Sequence, residues 1–524
     1  MHTLIKAPLF RRYIFPIAII LIAFCLLVFK LDAKSLSGDE FGNVQIERGN
    51  LNWIFASMTS TWSQHPPGSH LLMHAWIKWA GQDDFIVRFP AVCWALLSIP
   101  LLYRLSQRWF GYKVALIATF LYAFAPDLIL YGRMEKYYSL VVTMVLGSTL
   151  IFDQNMRRPR PASLIMQGVI TIAILYTDYF AALFIVSTQN LIALLKWRQS
   201  PKEFFKWLLP QIAAALLFIP FLRTALLQAF SVHDSSEADL AAGALAMLAK
   251  LGYFFFAYSV GETIFPWSPS AIIGAVLSSA LTLFGIRAWL SKNNLTPDQP
   301  AFWNLAFLII PIPGVIVLSS TLLKTVPMIT LPNHILFTLP FFTMLVAKGI
   351  TQTGKYHLTI AFLMWLTLLP SLNNYYNDRQ FHNQVFVTPS REVLAYLIAQ
   401  AAPDDLMHVD IASGIQYYYE QQNQTYPKFT ETLEEIQTSL NSGKAACVWL
   451  ITVGRDRTRA KEPQPIPLWL QQNLILEKEK GFAEQDNTYR AIKARLTGRP
   501  AYEFRVIAQR FCKPGHGSEI QEQP

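Results

Sequence analysis

The stretch YIFPIAIILIAFCLLVFKL, residues 13–31, sets the class of this protein because nearly every side chain in it is apolar. A helix rises about 1.5 Å per residue, so about 20 apolar residues cross the roughly 30 Å hydrocarbon core of a membrane. Lys6, Arg11 and Arg12 precede the stretch, and no small-residue cleavage site follows it. We therefore predict an uncleaved anchor with a cytoplasmic N-terminus.

Apolar stretches of similar length recur up to residue 372 and dominate the composition. Hydrophobic residues make up 53% of the sequence and charged residues 15%, whereas about a quarter of a soluble domain is charged. We predict a polytopic α-helical membrane protein, with a transmembrane domain over residues 1–372 and a first outer loop over 32–85. About 11 spans are expected, at 13–31, 86–106, 113–131, 136–153, 162–177, 180–197, 205–224, 269–290, 301–320, 333–350 and 358–372.

Basic residues indicate the orientation of these spans, because Lys and Arg concentrate in short cytoplasmic loops. They fall in alternate connections, at Arg104, Arg108 and Lys113, at Arg157, Arg158 and Arg160, and at Lys196, Arg198, Lys202 and Lys206. An odd number of spans from a cytoplasmic N-terminus places residues 373–524 on the outer, periplasmic side of a bacterial inner membrane. The net charge of +10 thus reflects topology, and a nucleic-acid partner is not expected.

Residues 373–524 are expected to form a periplasmic α/β domain. The strand-like runs LMHVDIA, AACVWLITVG and YEFRVIAQRF alternate with helical patterns such as SREVLAYLIAQAA, which is typical of small α/β domains. Cys447 and Cys512 lie on strand-like segments of this domain. An oxidising compartment would allow them to pair, but a sequence does not report the distance between two thiols. The disulfide is therefore an open question at this stage.

Polar side chains gather at the expected outer ends of the spans. They are Asp39, Glu40 and His65 in the first outer loop, Arg88 at the start of a span, Arg133 and Lys136 in YGRMEKYYSL, and Asp178 in a short turn. Arg133 and Lys136 are three residues apart and would share one face of a helix. Structural alternatives exist, since long cationic side chains anchor at headgroups and Asp178 can cap the next helix. Their location on one membrane face nevertheless indicates an outward site with carboxylates and cations.

The order of several motifs resembles that of a known family. GDE is followed by HPPGSHLLMHAWIKWAG, DFIVRFPAVCWALLSIPLLYRLSQRWFG, YGRMEKYYSL, LYTDYFAALF and YFFFAYSVGETIFPW. Together they resemble the bacterial glycosyltransferases of the GT-C superfamily over roughly residues 30–350. The likeness is to the dolichyl-phosphate-mannose protein mannosyltransferase-like branch, to which the aminoarabinose transferases of lipid A are related. Such enzymes pass a sugar from a polyprenyl phosphate carrier to an acceptor on the outer face of the membrane.

The resemblance implies a role for each polar residue. Asp39 matches the acid of the family's first-loop Asp-Glu pair and would be the general base, with Glu40 orienting it or holding the acceptor. A basic pair before a tyrosine is matched by Arg133, Lys136 and Tyr138, which would bind the carrier phosphate. Arg88 matches the family's R-x-P, where it serves the phosphate or packing. His65 opens the HPP turn and would contact sugar or acceptor.

Two departures from the family pattern affect these assignments. Relatives often carry Arg-Tyr before the LP of a late span, whereas this chain offers Asn333 and His334, so Lys324 or His334 would replace that arginine at the phosphate. Many relatives read THYF where this chain reads TDYF. Asp178 would then add a carboxylate for a metal or for sugar hydroxyls. The sequence implies no certain cofactor, and it leaves a divalent metal open.

Two functions of other classes fit a protein with many spans and outward polar groups. A transporter or flippase for a lipid-linked sugar should carry polar or broken helices near the bilayer midplane, whereas these spans are apolar at their centres. A non-catalytic subunit of an envelope assembly would leave Asp39 replaceable. The sequence does not identify the sugar, the length of the carrier or the acceptor, for which a lipid, a glycan and a protein all fit.

Overall fold

The computed structural model of this chain describes residues 7–60, 65–230, 244–290, 296–321, 331–381, 386–409, 414–422, 424–453, 465–497 and 502–514. These residues form two compact units. The first unit comprises Met1–Leu31 and Asn43–His382. The second comprises Asp32–Gly42 and Asn383–Pro524.

Helices make up the regular structure of the first unit, and α2 begins in the second unit. A π-helical turn, Ala182–Val186, joins α10 to α11. The helices are α1 (Ala7–Val28), α2 (Gly38–Glu47), α3 (Leu51–Thr59), α4 (Gly68–Ala80), α5 (Asp84–Phe110), α6 (Tyr112–Ala123), α7 (Pro126–Gly132), α8 (Tyr138–Arg157), α9 (Pro161–Leu175), α10 (Tyr179–Ala181), α11 (Ser187–Trp197), α12 (Pro201–Phe230), α13 (Ala244–Val260), α14 (Pro269–Leu290), α15 (Pro300–Ile309), α16 (Pro311–Thr321), α17 (Leu331–His334), α18 (Leu339–Thr351) and α19 (His357–Tyr376).

Helices occupy every position at which a span is predicted. Within the described part of the chain, five helices are long and apolar enough to cross a membrane, or up to six if α6 and α7 are one bent span. Shorter apolar helices lie at Ile14–Val28, Pro161–Leu175, Met247–Val260 and Leu336–Thr351. Helix α13 is absent from the predicted spans. Its apolar run is interrupted by Lys250 and ends at Gly261, so it is shorter than the length that sequence reasoning requires of a span.

Prolines break two of the predicted spans. The span expected over 113–131 bends by 55° between α6 and α7, because Pro126 cannot continue the hydrogen-bond ladder and disfavours a helical residue before it. The span expected over 333–350 divides into α17, a 3-10 turn at Leu336–Thr338 and α18. Pro340 lies in the first turn of α18. Backbone N–H groups in the first turn have no hydrogen-bond partner within the helix, so proline is tolerated there.

Small residues allow α14 and α18 to approach closely. A Cβ atom added to Gly349 would lie 1.8 Å from the carbonyl oxygen of Leu281, and one added to Gly285 would lie 2.6 Å from that of Leu345. Glycine is therefore required at both crossings, as is common where helices pack within membranes.

A five-stranded sheet forms the centre of the second unit, which confirms the predicted α/β domain. Its strands are β1 (Leu406–Val409), β2 (Lys428–Phe429), β3 (Cys447–Val453), β4 (Ile475–Glu484) and β5 (Phe504–Cys512), in the order β2-β1-β3-β5-β4. Strand β1 pairs in parallel with β2 and β3, while β5 runs antiparallel to β3 and β4. The accompanying helices are α20 (Ser390–Gln400), α21 (Gly414–Gln421), α22 (Leu433–Asn441), α23 (Pro465–Asn473) and α24 (Asn487–Thr497).

The two cysteines of this sheet form a disulfide, which answers the question left open by the sequence. Cys447 on β3 and Cys512 on β5 are register partners with Cα atoms 4.1 Å apart. A buried ion pair also crosses the sheet. The Nε and Nη2 of Arg510 donate to the two carboxylate oxygens of Asp405, each at 2.9 Å. Trp449 donates its indole N–H to the same carboxylate at 2.9 Å. Burial without partners would be costly for Asp405, so these bonds hold the start of β1 in place.

Residues 32–42, the beginning of the predicted first outer loop, belong to the second unit rather than to the predicted domain over 1–372. The backbone N–H of Leu36 donates to the hydroxyl of Tyr418 at 2.7 Å, and Thr388 donates to the Leu36 carbonyl at 3.1 Å. The N–H of Arg391 donates to the Ser35 hydroxyl at 3.1 Å. These bonds satisfy the backbone of an irregular segment, which explains why residues 32–42 fold with the C-terminal part of the chain.

Candidate functional site

The first-loop acids Asp39 and Glu40 lie in the first turn of α2 and have different surroundings. Glu40 is buried, and its carboxylate accepts from the Ser37 N–H at 2.8 Å while the Ser37 hydroxyl accepts from the Glu40 N–H at 3.4 Å. This reciprocal pair is a capping box, which satisfies two N–H groups at the helix start. Asp39 is exposed. Of the two acids, Glu40 is thus committed to the helix, and Asp39 offers its carboxylate to solvent.

Arg133 and Lys136 do not share a helix face, so that prediction is wrong. Helix α7 ends at Gly132 and α8 begins at Tyr138, and the five residues between them form a turn and bends. The reason lies in the contacts of Arg133, whose guanidinium reaches the end of another helix. The two cations therefore have different surroundings.

Arg133 and Arg88 both hold the C-terminal end of α1. The Nη2 of Arg133 donates to the carbonyls of Phe29 and Lys30 at 2.6 and 2.9 Å, and its guanidinium lies 5.2 and 5.0 Å from the ring centroids of Tyr375 and Tyr376. Arg88 donates to the carbonyl of Leu31 at 3.0 Å. These three carbonyls lie in the turn that follows α1, which ends at Val28, and the two buried arginines give them hydrogen-bond donors. This contact is in line with the packing alternative for Arg88.

Lys136 instead lines a largely apolar groove. Its Nζ donates to the Oδ1 of Asn43 at 3.4 Å, and the Asn43 amide donates to the Glu135 carbonyl at 3.3 Å. The groove has a volume of about 430 Å³. Its walls are mostly apolar side chains of α4 and α5, among them Leu72, Trp76, Trp79, Val87, Pro90 and Trp94, and its polar lining residues include Asn43, Glu135, Lys136 and Tyr137.

His65 and His334 join Lys136 at this end of the first unit. The ring of His65 packs on that of Tyr137 with centroids 4.9 Å apart. Burial, together with the charges of Lys136, His334 and His70, holds the pKa of His65 well below its usual range. His334 at the end of α17 packs its ring edge-on against Phe180, 5.7 Å away. The structure therefore brings together three of the residues predicted for the carrier phosphate and the substrate.

Asp178 caps the helix that follows it, which confirms the structural alternative for this residue. Its Oδ1 accepts from the backbone N–H of Ala181 at 2.5 Å, and the hydroxyl of Tyr137 also faces the carboxyl group. Burial raises the pKa of Asp178 to about 7, although the bonds from the Ala181 and Phe180 amides and from Tyr137 oppose the shift. The π-helical turn that begins four residues later is a feature often found at functional sites.

Tyr138 and Asn333 connect this site to a second buried group of polar side chains. Asn333 donates its amide to the Tyr138 hydroxyl at 3.0 Å, and the Tyr138 ring lies 5.4 Å from that of Tyr131. The hydroxyls of Tyr131 and Tyr253 donate to the two carboxylate oxygens of Glu262. Burial raises the pKa of Glu262, and both tyrosine bonds oppose the shift.

Several residues at the site were missed by sequence reasoning. Glu135 and Tyr137 stand inside the quoted YGRMEKYYSL and Glu262 inside YFFFAYSVGETIFPW, so the motifs contained the signal. His70 likewise stands inside the quoted HPPGSHLLMHAWIKWAG, but Glu47 lies outside every quoted motif, and nothing in the sequence indicated their 2.8 Å contact across 23 residues. Lys324, the other predicted phosphate ligand, lies outside the described residues.

Comparisons with known proteins bear on the fold of this chain. Residues 64–223 match the family model for dolichyl-phosphate-mannose-protein mannosyltransferase. The structure is similar to ArnT from Cupriavidus metallidurans bound to undecaprenyl phosphate, with a TM-score of 0.50, 11% identity, and coverage of 94% of this chain and 97% of that one. ArnT in the apo state gives a TM-score of 0.51 at the same identity and coverage. The chain has the fold of ArnT.

The family match and the ArnT-like fold confirm the resemblance drawn from the motifs and the predicted class of a multi-pass membrane protein with a C-terminal α/β domain. No curated protein sequence matches the chain. The match to the family model includes His65, Lys136 and Asp178, whereas Asp39 and His334 lie outside it. The family match therefore gives no support to the roles predicted for Asp39 and His334.

Proposed function

We propose that this protein transfers a sugar from a polyprenyl phosphate carrier to an acceptor on the outer face of the membrane. The observation that carries the proposal is the apolar groove of about 430 Å³ that Lys136 lines. A polyprenyl phosphate has the matching form, since an apolar chain ends in an anionic headgroup. ArnT, whose fold the chain shares, has been solved with undecaprenyl phosphate bound.

The energetics of the groove favour such a ligand. Each methylene removed from water stabilises a complex by about 0.8 kcal/mol, so ten carbon atoms of a prenyl chain contribute up to about 8 kcal/mol before the costs of association. Among the described residues, no carboxylate forms an ion pair with Lys136, whose bond is to the neutral Asn43. Its ammonium is therefore available to a phosphate oxygen.

Asp39 is the general base in this proposal. The acceptor hydroxyl becomes acidic as its oxygen bonds to the anomeric carbon, and a positioned carboxylate takes the proton. The bond from the anomeric carbon to the carrier phosphate breaks, and its electron pair stays on the phosphate, where cations stabilise the developing charge. Exposure of Asp39 and the commitment of Glu40 to the capping box support this choice between the two acids.

A reconstituted transfer assay tests the proposal. Envelope lipids carrying polyprenyl phosphate sugars are incubated with the protein in liposomes, and glycolipids and glycoproteins are analysed by mass spectrometry. We expect consumption of one donor and a matching mass increase in one acceptor class, both absent with Asp39→Asn. Movement of the donor between leaflets without any glycosidic product would instead support a flippase, and an intact donor in the original leaflet would support a non-catalytic subunit.

A further inference from the structure

The groove lined by Lys136 follows α5 and α8, which pack side by side. The Ser139 hydroxyl donates to the Ala91 carbonyl at 2.8 Å, and the Thr143 hydroxyl donates to the Trp94 carbonyl at 2.7 Å. The two helices therefore run in the same direction, because a later residue of one bonds a later residue of the other. Lys136 precedes α8, so it lies where this run begins. Trp94 lies further along it.

The apolar lining that α5 gives to the groove has the length of a short piece of prenyl chain. Val87, Pro90, Ala91 and Trp94 line the groove, and Trp94 stands seven residues after Val87. At about 1.5 Å per residue of helix, this separation is about 10 Å. An isoprene unit adds four chain carbons, and with bonds of about 1.5 Å in a zigzag it extends roughly 5 Å. Two units therefore span the distance from Val87 to Trp94.

The volume of the groove gives the same capacity. A water molecule has one non-hydrogen atom and occupies about 30 Å³ in the liquid. At a similar packing, the groove volume of about 430 Å³ accommodates about 14 non-hydrogen atoms. A phosphate group has five such atoms and two isoprene units have ten, which is about the same number. The length and the volume thus agree on a phosphate with two units.

The wall supplied by α4 leaves one side of the groove open. The exposed fractions of Leu72 and Trp79 are 51% and 80%, and Ala75, which lies between them, is also exposed. All three residues line the groove. The indole N–H of Trp76 donates to the Ile86 carbonyl at 2.8 Å, which fixes this ring between the two helices. The groove is therefore closed along α5 and α8 and open along α4, where a longer chain can leave it.

We propose that the groove binds the phosphate and the first two isoprene units of the carrier, and that Trp94 is the stop that directs the third unit out across α4. The inference rests on the proposed function, because it takes the carrier as the occupant of the groove. Its consequence is that the protein recognises the head of the carrier and not its total length. Carriers of different lengths that share the first two units are then equivalent in this site.

Photolabelling of the full chain in nanodiscs tests the inference. The probes are four geranylgeranyl phosphates, each with a diazirine on a different isoprene unit, and labelled peptides are identified by mass spectrometry with and without excess geranyl phosphate. We expect the first- and second-unit probes to label the α5 segment from Val87 to Trp94 and Leu140 of α8, and geranyl phosphate to compete. A carbene reacts with groups in contact with it, so labelling of this α5 segment should fall at least about tenfold from the second unit to the third. The third-unit probe should label α4 and lipid instead.

Two tryptophan variants separate the proposed stop from a general loss of an aromatic ring. Trp94→Ala removes nine non-hydrogen side-chain atoms, which leaves space for the five carbons of one more unit. Labelling of α5 by the third-unit probe should therefore rise about tenfold. Trp53→Ala is the matched control, because Trp53 on α3 is 53% exposed and does not line the groove, and it should leave the pattern unchanged. If Trp94→Ala does not fold, Trp94→Leu should show a smaller rise in the same direction, and the wild-type pattern decides by itself.

The outcomes separate this inference from the proposed function. Equal labelling of the α5 segment by all four probes overturns the inference and leaves the proposed function in place, because the carrier then occupies the groove without a stop. Labelling by the first-unit probe alone has the same meaning, since the groove then holds one unit. If no probe labels the groove in a way that geranyl phosphate competes, both are overturned. An unchanged pattern in folded Trp94→Ala, or an equal change in Trp53→Ala, overturns the role of Trp94.

Discussion

Replacement of Lys136 should weaken carrier binding, whereas replacement of Arg133 should weaken the fold. The two cations stand three residues apart in one motif, but Lys136 lines the groove and Arg133 caps α1. Lys136→Gln removes the ammonium and keeps a polar side chain of similar length. Arg133→Gln is its matched control, because it removes one positive charge from the same segment.

The magnitude for Lys136 follows from its environment. Two unit charges 4 Å apart interact by about 4 kcal/mol at an effective dielectric constant near 20. Lys136 is only partly buried, and water replaces part of this interaction, so a charged hydrogen bond worth about 1.5–3 kcal/mol is the appropriate scale. Since about 1.4 kcal/mol is a factor of ten, the dissociation constant should rise roughly 10- to 150-fold.

The expected effect of Arg133→Gln lies in stability. The substitution leaves the Phe29 and Lys30 carbonyls at the end of α1 without their donor and removes the contacts with two tyrosine rings. Each buried acceptor left unpaired costs about 1–3 kcal/mol. The unfolding midpoint in detergent should fall, while affinity per folded molecule stays within about threefold of the wild type.

Both variants are measured by titration of geranyl phosphate into nanodiscs, with the folded fraction determined by size-exclusion chromatography. If the affinity of Lys136→Gln for geranyl phosphate stays within threefold of the wild type, the assignment of Lys136 to the carrier phosphate is refuted. A tenfold loss of affinity in correctly folded Arg133→Gln would reverse the roles of the two residues.

Three further predictions concern the base, the topology and the pH dependence of stability. Asp39→Asn should reduce turnover by about 10² to 10⁴ with donor binding intact, and a matching loss only in Glu40→Gln, which retains the capping box, would move the base by one residue. A reporter active only in the cytoplasm, fused after Pro524, should be silent, and a strong signal would contradict the outward orientation. Asp178 has a folded pKa of about 7, above its ordinary 3.8, so its protonation stabilises the native state at low pH and this stability is lost as pH rises through 7. Thermal unfolding should show that the free energy of unfolding falls by about 1 kcal/mol from pH 6 to pH 8. This fall should disappear in Asp178→Asn, which can still cap the helix. An equal dependence of the free energy of unfolding on pH in the two proteins would exclude Asp178 as its source.

The helices of the first unit were predictable because the length of an apolar run is a direct measure of its ability to cross a membrane. Helix α12, at Pro201–Phe230, extends beyond its predicted bounds by only a few residues at each end. Helix α13 was missed, since Lys250 interrupts its apolar run. The breaks after α6 and α17 were also missed, although Pro126 and Pro340 stand in the sequence at these points.

The site was predictable in its composition but less so in its detailed geometry. The membrane-face argument grouped His65 with Lys136, and the family pattern added His334; the structure brings these three residues near one another. The separation of Arg133 from Lys136 was not predictable, because it depends on a turn whose stability comes from the distant end of α1. The pairing of His70 with Glu47 likewise joins different helices, and no periodicity within either helix encodes such a contact.

The fold of residues 32–42 has a consequence for the order in which the protein is made. Leu36 finds its partner in Tyr418, 382 residues further along the chain. Ribosomes add about 5–20 residues per second, so roughly 20 to 80 seconds separate the synthesis of these two residues. During that interval the anchor α1 is available for insertion while the Asp39 segment lacks its later hydrogen-bonding partners. Translation must therefore reach the C-terminal domain before this acid acquires its final structure, which couples maturation of the proposed base to completion of the chain.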